Sequence, residues 1–465
     1  MKFIKKILKD IEIIIEECTN EFYVRYFNKG HYELHNMKSQ EFKAYLNNIY
    51  GELSNEDKVP NMNQQLENLK ADAIQNNKFS NIYTRIEGDI HEIHYFLSDE
   101  KWQSLKITEK GWDILSDKEM YFKKSPNSTA QVCPSTNGNI DLLREYVNLD
   151  NDSYLMFLCY LVHCLIPIKS HFAAIISSEK GSGKTTISKL IRKIIDPVKV
   201  TTTICPKSEK ELANHLINNK IISFDNTKPL SDEFSDMLCS AITGSGISLR
   251  TLYTTSDEKI FTVQSILLLN GIDIIPSQSD LIDRAILFEL LPLNNGNRKS
   301  DESLWQSFEE DLPSILGGIF DLVSLTLKEL PYVKINKQHR MLASYQVMIA
   351  TAIAIGKTQN EFEKIFWESI EKLNFKYAAN NDFTSQICDI MRENDNKKIK
   401  GYVSEVYKKI NTEFTLYPTF PKSPQKFSQF LRKHKESLEK LGYIVNFEID
   451  NKGTIVCLYH KKENV

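Results

Sequence analysis

Apolar and polar positions alternate through residues 21–27 (EFYVRYF) and 31–35 (HYELH) around Asn28-Lys29-Gly30, a pattern that predicts a β-hairpin. Phe42, Leu46 and Ile49 behind Ser39 share one helical face and predict a capped amphipathic helix. Strands are expected again at 81–86, 90–96 and 102–107, with Gly88-Asp89 as a turn. Residues 126–139 (PNSTAQVCPSTNGN) break every periodicity, and their Ser/Thr/Asn/Pro/Gly content predicts a linker. Beyond it, 142–165 reads as one or two apolar helices, in which Asp150 sits where an N-cap belongs. From 171 to 295 short apolar runs (172–176, 220–224, 260–269) alternate with helical stretches, the signature of a three-layer α/β domain. A Gly-rich turn and a hairpin, 243–259, interrupt it. Helical spacing then dominates at 315–330, 341–355 and 362–373. In the tail, Ser423-Pro424 opens a helix whose apolar face (Phe427, Phe430, Leu431, His434, Leu438, Leu441) runs to Gly442. A hairpin around Asn451-Lys452-Gly453 follows, and helices before such a hairpin suggest a winged helix.

The expected architecture is a multidomain α/β chain: a β-rich N-terminal domain at 1–135, an α/β core at 136–300, a helical packing or lid region at 301–395 and a winged helix at 396–465. With 465 residues, 41% of them apolar, the chain has material for several cores. Its net charge of −3 means that nucleic-acid contact must come from a local basic surface. Between Arg392 and Lys440 basic residues outnumber acidic ones two to one, and Lys426, Arg432 and Lys433 fall on the polar side of the tail helix. The eight cysteines contain no C-x-x-C pair, which disfavours zinc and a disulfide framework and fits free thiols in a reducing cytoplasm. Lys9, Asp10 and Glu12 interrupt the apolar N-terminus, so an amphipathic element packed on the protein is expected there. No run is long enough to span a bilayer, and the expectation is a soluble, cytoplasmic protein. His91 and His94, three apart on an expected strand, point to opposite faces and make a poor metal pair.

The chemistry centres on Ser178, Glu179, Lys180, Gly181, Ser182, Gly183, Lys184, Thr185 and Thr186. An apolar strand, a Gly-rich loop and a helix starting near Lys184 form a phosphate-binding loop, with Ser178 where the motif has its first Gly. Backbone N–H groups would cradle ATP phosphates, Lys184 would reach the β- and γ-phosphates, and the Thr185 hydroxyl would sit on Mg2+. About forty residues on, Asp225 closes an apolar strand, where the carboxylate that holds Mg2+ belongs. Asn226 stands where many ATPases have a catalytic Glu; an amide orients water without taking its proton, which leaves the general base unassigned, with Asp232 and Glu233 near in sequence. Asn270 ends the third strand and is a candidate γ-phosphate sensor. Arg284 is either a residue completing a neighbouring subunit's site or half of an ion pair with Asp280 or Asp283.

The ordered set SEKGSGKT, SFDN, TGSGISLRTLYT, LLLNG and SDLIDRAI resembles the AAA+ ATPase family of phages and integrative mobile elements, related to superfamily 3 and minichromosome-maintenance-like replicative helicases. The likeness extends over roughly residues 20–330 and includes Gly111-Trp112 and Tyr146-Val147-Asn148. It implies an AAA+ P-loop core that binds ATP and Mg2+ through Lys184, Thr185 and Asp225, with Asn270 as sensor and Arg284 as a finger acting in trans. It further implies a homo-oligomeric ring, a hexamer, in which Arg250, Tyr253 and Lys259 face a channel holding single-stranded DNA. The resulting expectation is an ATP-dependent DNA helicase of a mobile genetic element, with single- and double-stranded DNA and replication proteins as partners. The alternatives are a nucleotide-switched initiator that assembles on DNA without unwinding it, and a primase–helicase fusion, for which 1–135 lacks a convincing acidic metal cluster.

Overall fold

The run Glu12-Ile13-Ile14-Ile15-Glu16 forms a strand, β1 (Glu12–Glu16), at the centre of the first sheet. The computed structural model describes residues 11–17, 19–53, 62–116, 121–178, 181–206, 208–225, 232–244, 247–250, 258–261, 265–271, 279–292, 300–416 and 418–461. Strand β1 pairs with β2 (Phe22–Asn28), which pairs with β3 (His31–Asn36) in the hairpin that the alternation predicts. Helices α1 (Gln40–Leu53) and α2 (Met62–Gln75) follow, and Ser39 Oγ accepts the Phe42 N–H as expected of a cap. β4 (Phe79–Ser80) then adds in parallel to β1. Ile13 and Ile15 pack with Phe42, Leu46 and Ala73, while Ile14 packs on the opposite face with Phe96, Trp102 and Phe122. The amphipathic element expected at this end is therefore, over its described residues, a strand buried on both faces, which is why it reads as a continuous apolar run.

A second, antiparallel sheet runs β5 (Ile86–Gly88), β6 (Glu92–Phe96), β7 (Gln103–Thr108), β8 (Gly111–Ser116). The strand expected at 81–86 is confined to an isolated bridge, Tyr83 with Phe122, before β5 begins. His94 is buried with Nε2 2.9 Å from Glu92 Oε1, whereas His91 is exposed.

The segment 126–139, a linker by composition, is a hydrogen-bonded strap. Gln131 Nε2 donates to the carbonyls of Lys193 and Ile194, Thr129 N–H to Pro197 O, Ser135 N–H to Pro313 O and Asn139 N–H to Ser314 O. Under it lies Arg85, 0% exposed, which donates to Asp196 Oδ1, Ser128 Oγ and the carbonyls of Phe96, Leu97, Thr129 and Pro197. A buried guanidinium is tolerable when its donors are used in this way.

A 3₁₀ turn (Ile140–Tyr146) leads to the buried helix α3 (Asn151–Leu165), with Asp150 accepting the Ser153 N–H as its cap. Then come β9 (Ala173–Ser177), α4 (Lys184–Ile195), α5 (Glu209–Asn218), β10 (Ile221–Phe224) and α6 (Asp232–Thr243). The hairpin β11 (Ile247–Arg250) and β12 (Glu258–Phe261) precedes β13 (Ile266–Gly271), the short α7 (Ser279–Ile282) and β14 (Ala285–Glu289). The sheet order is β10-β13-β9-β14, with β10, β13 and β9 parallel. The single strand expected at 260–269 is two, for β12 belongs to the hairpin and β13 to the core sheet. Ser265, 1% exposed and just before β13, donates its hydroxyl to Asn219 O.

The 29-residue α8 (Asp301–Glu329) carries Pro313 and a Gly317-Gly318 pair. A Cβ on Gly317 would lie 2.0 Å from Ser135 O, so this glycine pair is the notch that admits the strap. Helices α9 (Leu342–Ala354), α10 (Gln359–Asn380) and α11 (Asp382–Glu393) follow. The tail adds β15 (Ile399–Tyr402), α12 (Val403–Glu413), α13 (Pro424–Lys433), α14 (Lys435–Lys440) and the hairpin β16 (Tyr443–Asp450) and β17 (Gly453–His460). β17 is the middle strand of a three-stranded sheet, β15-β17-β16. The helix expected to run unbroken to Gly442 is divided at His434.

The protein is a mixed α/β chain with several sheets. Its described residues group into two bodies, one drawn from 1–227, 237–272 and 288–363, the other from 228–236, 273–287 and 364–465. In the second, Phe383, Ile387, Met391, Ile410, Phe427, Leu431, Leu438, Val445 and Leu458 form one core. Among the described residues, no helix is long and apolar enough to cross a membrane.

Two buried histidines make the first body acid-sensitive. His163 donates Nδ1–H to Tyr160 O and accepts the Phe172 N–H at Nε2, while His171 donates Nε2–H to Ile166 O. Burial pushes His163 down to about 3 from an ordinary 6.5, and His171 well below it. Below pH 6.5 the unfolded chain takes up protons that the folded chain refuses, so stability is full above that pH and falls on acidification toward 3. Each histidine should cost about 1.4 kcal/mol per pH unit in that window. Thermal melts from pH 7 to pH 5 check this, and His163→Gln should flatten the slope.

Candidate phosphate-binding site

The loop after β9 is shaped by two glycines. Gly181 and Gly183 hold φ of +87° and +90°, in the left-handed region that L-residues with a side chain rarely adopt. Gly183 is the N-cap of α4, and its carbonyl accepts the Ile187 N–H at 3.0 Å. The helix therefore begins at Lys184, with its unsatisfied first-turn N–H groups and positive dipole end at the loop.

Lys184 folds back across the loop, its Nζ donating to Ser178 O at 2.7 Å and lying 3.3 Å from Ser178 Oγ. Partial burial lowers the Lys184 pKa, against an opposing pull from the Asp225 carboxylate. Thr185 Oγ1 donates to Asp225 Oδ2 at 3.3 Å, joining the start of α4 to the end of β10. Asp225 is further fixed by its N–H, which donates to Thr203 O at 3.0 Å. Asn270, on β13 and 1% exposed, donates Nδ2–H to Ser188 Oγ at 3.2 Å, and Ser188 Oγ donates to Lys184 O at 3.2 Å. Ser182 is buried, and Thr186 follows in the first turn of α4.

The structure thus assembles Ser178, Gly181, Ser182, Gly183, Lys184, Thr185, Asp225 and Asn270 around one helix start. Ser188 is an addition that the sequence reading missed; its signal is its place one turn beyond Lys184 on the same helix face. The arrangement suits an anion at the helix N-terminus, with a hydroxyl and a carboxylate placed together as hard oxygen ligands for a divalent cation.

Other expected residues stand elsewhere. Glu179, Lys180, Asn226 and Tyr253 lie outside the described residues, as do the side chains of Asp232, Glu233, Arg250 and Lys259. The backbones of Arg250 and Lys259 do belong to a hairpin, with Arg250 opposite Glu258 and Lys259 opposite Leu249. Arg284, described within the second body, is 6% exposed; its Nη1 meets Asp280 Oδ2 at 2.5 Å and Asp280 O at 2.6 Å. The ion pair with Asp280, one of the two readings, is present. In the tail, Lys426 and Lys433 are exposed, while the Arg432 guanidinium stacks 3.9 Å over the Phe447 ring. A groove of about 610 Å³ passes between the starts of α12 and α13 and the β16–β17 turn, lined by Ser404, Gln425, Ser428, Arg432, Lys452 and Thr454 among others.

Residues 140–351 match the model of a family described as "Actinomycete integrative conjugative element replication protein". Over that stretch, which falls short of half the chain and contains the whole phosphate-loop assembly, the chain is similar to a mobile-element replication protein. No curated protein matches the chain significantly. Among solved structures, an apo form of the NrS-1 C-terminal region aligns at 12% identity over 98% of both chains with a TM-score of 0.44. Another apo structure of that region aligns at 12% identity over 99% of this chain and 98% of that one, with a TM-score of 0.39. Superpositions this loose carry no structural argument.

Proposed function

We propose that this chain is an ATP-driven DNA helicase of a mobile genetic element, an AAA+ ATPase that works as a ring and carries a winged-helix tail. The observation that supports it most is the contact of Thr185 with Asp225 beside a Lys184 folded over its own loop. In this reading the loop N–H groups and Lys184 hold the β- and γ-phosphates of ATP. Thr185 and Asp225 hold Mg2+, which neutralises charge on the transferring phosphoryl group. Asn270, held against Ser188, fixes a polar amide near the helix start that carries the loop. The family match over 140–351 supports a role in the replication of a mobile element. The order helix, strand, helix, helices, hairpin in the tail supports the winged helix, with Lys426, Lys433 and the basic groove as its DNA-facing side.

The Arg284–Asp280 pair favours a second reading, in which nucleotide switches assembly on DNA without unwinding. A finger acting in trans must first leave Asp280. The expected result for the helicase is ATP hydrolysis stimulated by single-stranded DNA, together with displacement of the paired strand from a forked duplex. Assembly on DNA with ATP but no displacement selects the switch. Hydrolysis at saturating DNA no higher than that of Lys184→Ala would refute both a motor and a hydrolytic cycle.

A further inference from the structure

The β16–β17 hairpin ends in a large apolar side chain turned out to solvent. Ile449 is 80% exposed and lies two residues beyond Phe447, on the same face of β16. Phe447 shows where that face looks, since it packs against the core of the second body and lies under the Arg432 guanidinium of α13. Ile449 therefore carries the core-facing side of the hairpin out past the core itself. Across the ladder it stands opposite Thr454, which lines the groove of about 610 Å³ beside the starts of α12 and α13.

The tip is held in shape. Asp450 Oδ1 accepts the N–H groups of Lys452 and Gly453 at 2.8 and 2.9 Å. Its Oδ2 accepts the Tyr402 hydroxyl at 2.7 Å, which ties the turn to the junction of β15 and α12. Glu448 is likewise engaged, 3.2 Å from Lys400 Nζ. Arg432 and Lys452 line the groove, and among the described residues no carboxylate does, so its charge complements an anion.

A protein partner would call for a broader apolar surface, because the centre of a protein interface is built from many buried side chains. The neighbours of Ile449 along the hairpin, Glu448, Asp450, Asn451 and Lys452, are exposed and polar or charged. A single apolar tip beside cations suits duplex DNA, whose phosphates meet the cations and whose stacked base pairs admit a wedge. We propose, on the winged-helix reading of the tail, that Ile449 is such a wedge. Arg432 and Lys452 hold backbone phosphates while Ile449 enters between two base pairs, so the tail selects duplex whose stacking is weak or already broken.

The test uses the full chain without nucleotide and two blunt duplexes of one sequence, one fully paired and one with a central mismatch. The mismatched duplex should bind about 10-fold tighter, because the mismatch has already removed part of the unstacking cost. Ile449→Ala should bring the two affinities within about 2-fold of each other, whereas Ile449→Leu, still a wedge, should keep them apart. Since Ile449 is exposed, both variants should melt with the unaltered chain. Arg432→Gln with Lys452→Gln should weaken both duplexes alike and reduce the salt slope by about 2. Equal affinity of the unaltered chain for the two duplexes, or a preference that Ile449→Ala retains, overturns the wedge alone. Duplex binding that the Arg432 and Lys452 changes leave untouched overturns the DNA-facing groove, and the wedge with it. A change of oligomeric state in Ile449→Ala would make the tip a contact between copies and would also overturn the proposal.

Discussion

Lys184→Ala should lower ATP hydrolysis by at least about 10²-fold, the scale for losing one preorganised donor aimed at developing charge. The ammonium is held at the loop by Ser178, with its carbonyl 2.7 Å away, so it is positioned before any nucleotide arrives. A methyl group there removes the charge and both contacts with Ser178. Nucleotide binding should weaken alongside turnover, because in the proposed reading the lysine serves both bound nucleotide and transition state. Global stability should hardly move, since Lys184 is a partly exposed residue at a helix start. Steady-state hydrolysis and a thermal melt on the same preparation check both halves. A variant with full turnover would remove the phosphate-loop reading altogether.

Arg85→Met should destabilise the first body by about 3–5 kcal/mol, the cost of breaking a buried ion pair from one side. Methionine replaces the apolar stem but none of the donors. The carbonyls of Phe96, Leu97, Thr129 and Pro197 each lose a charge-assisted bond, and Asp196 keeps only Arg192 and two backbone N–H groups. Loss of solvation outweighs any gain in apolar burial here, because the acceptors stay buried where the guanidinium was. The urea midpoint should fall accordingly. Since Asp196 caps the end of α4, the variant should also loosen the helix that begins with Lys184.

Most of the elements, and the glycine-bent turn before Lys184 above all, can be read in the sequence because they rest on local chemistry. Gly181 and Gly183 need their left-handed backbone, Asp150 and Ser423 cap the helices that follow them, and Asn28-Lys29-Gly30 closes a hairpin. What stayed hidden depends on distant partners. The helix Met62–Gln75 is a weak signal in the sequence, because Leu66, Leu69 and Ala73 sit among Asn, Gln and charged residues and gain meaning only against Ile13 and Ile15. Ser265 divides two strands through a bond to Asn219 that no periodicity records. Arg85 is one arginine among many in the sequence until the strap and Asp196 close over it. Arg284 illustrates another limit: the sequence names Asp280 and Asp283 equally as its ion-pair partners, and the pairing with Asp280 is seen only in the fold.

The notch at Gly317-Gly318 bears on how such genes are shuffled. A Ser/Thr/Asn/Pro/Gly run is where a crossover would seem harmless. Here a breakpoint anywhere inside 126–139 parts Arg85 from Asp196, and one beyond Ser135 also parts that residue from the helix groove cut to receive it. Recombinants joined there inherit Asp196 without its Arg85, so the sheet-rich front and the α/β core should be passed on as one hereditary block.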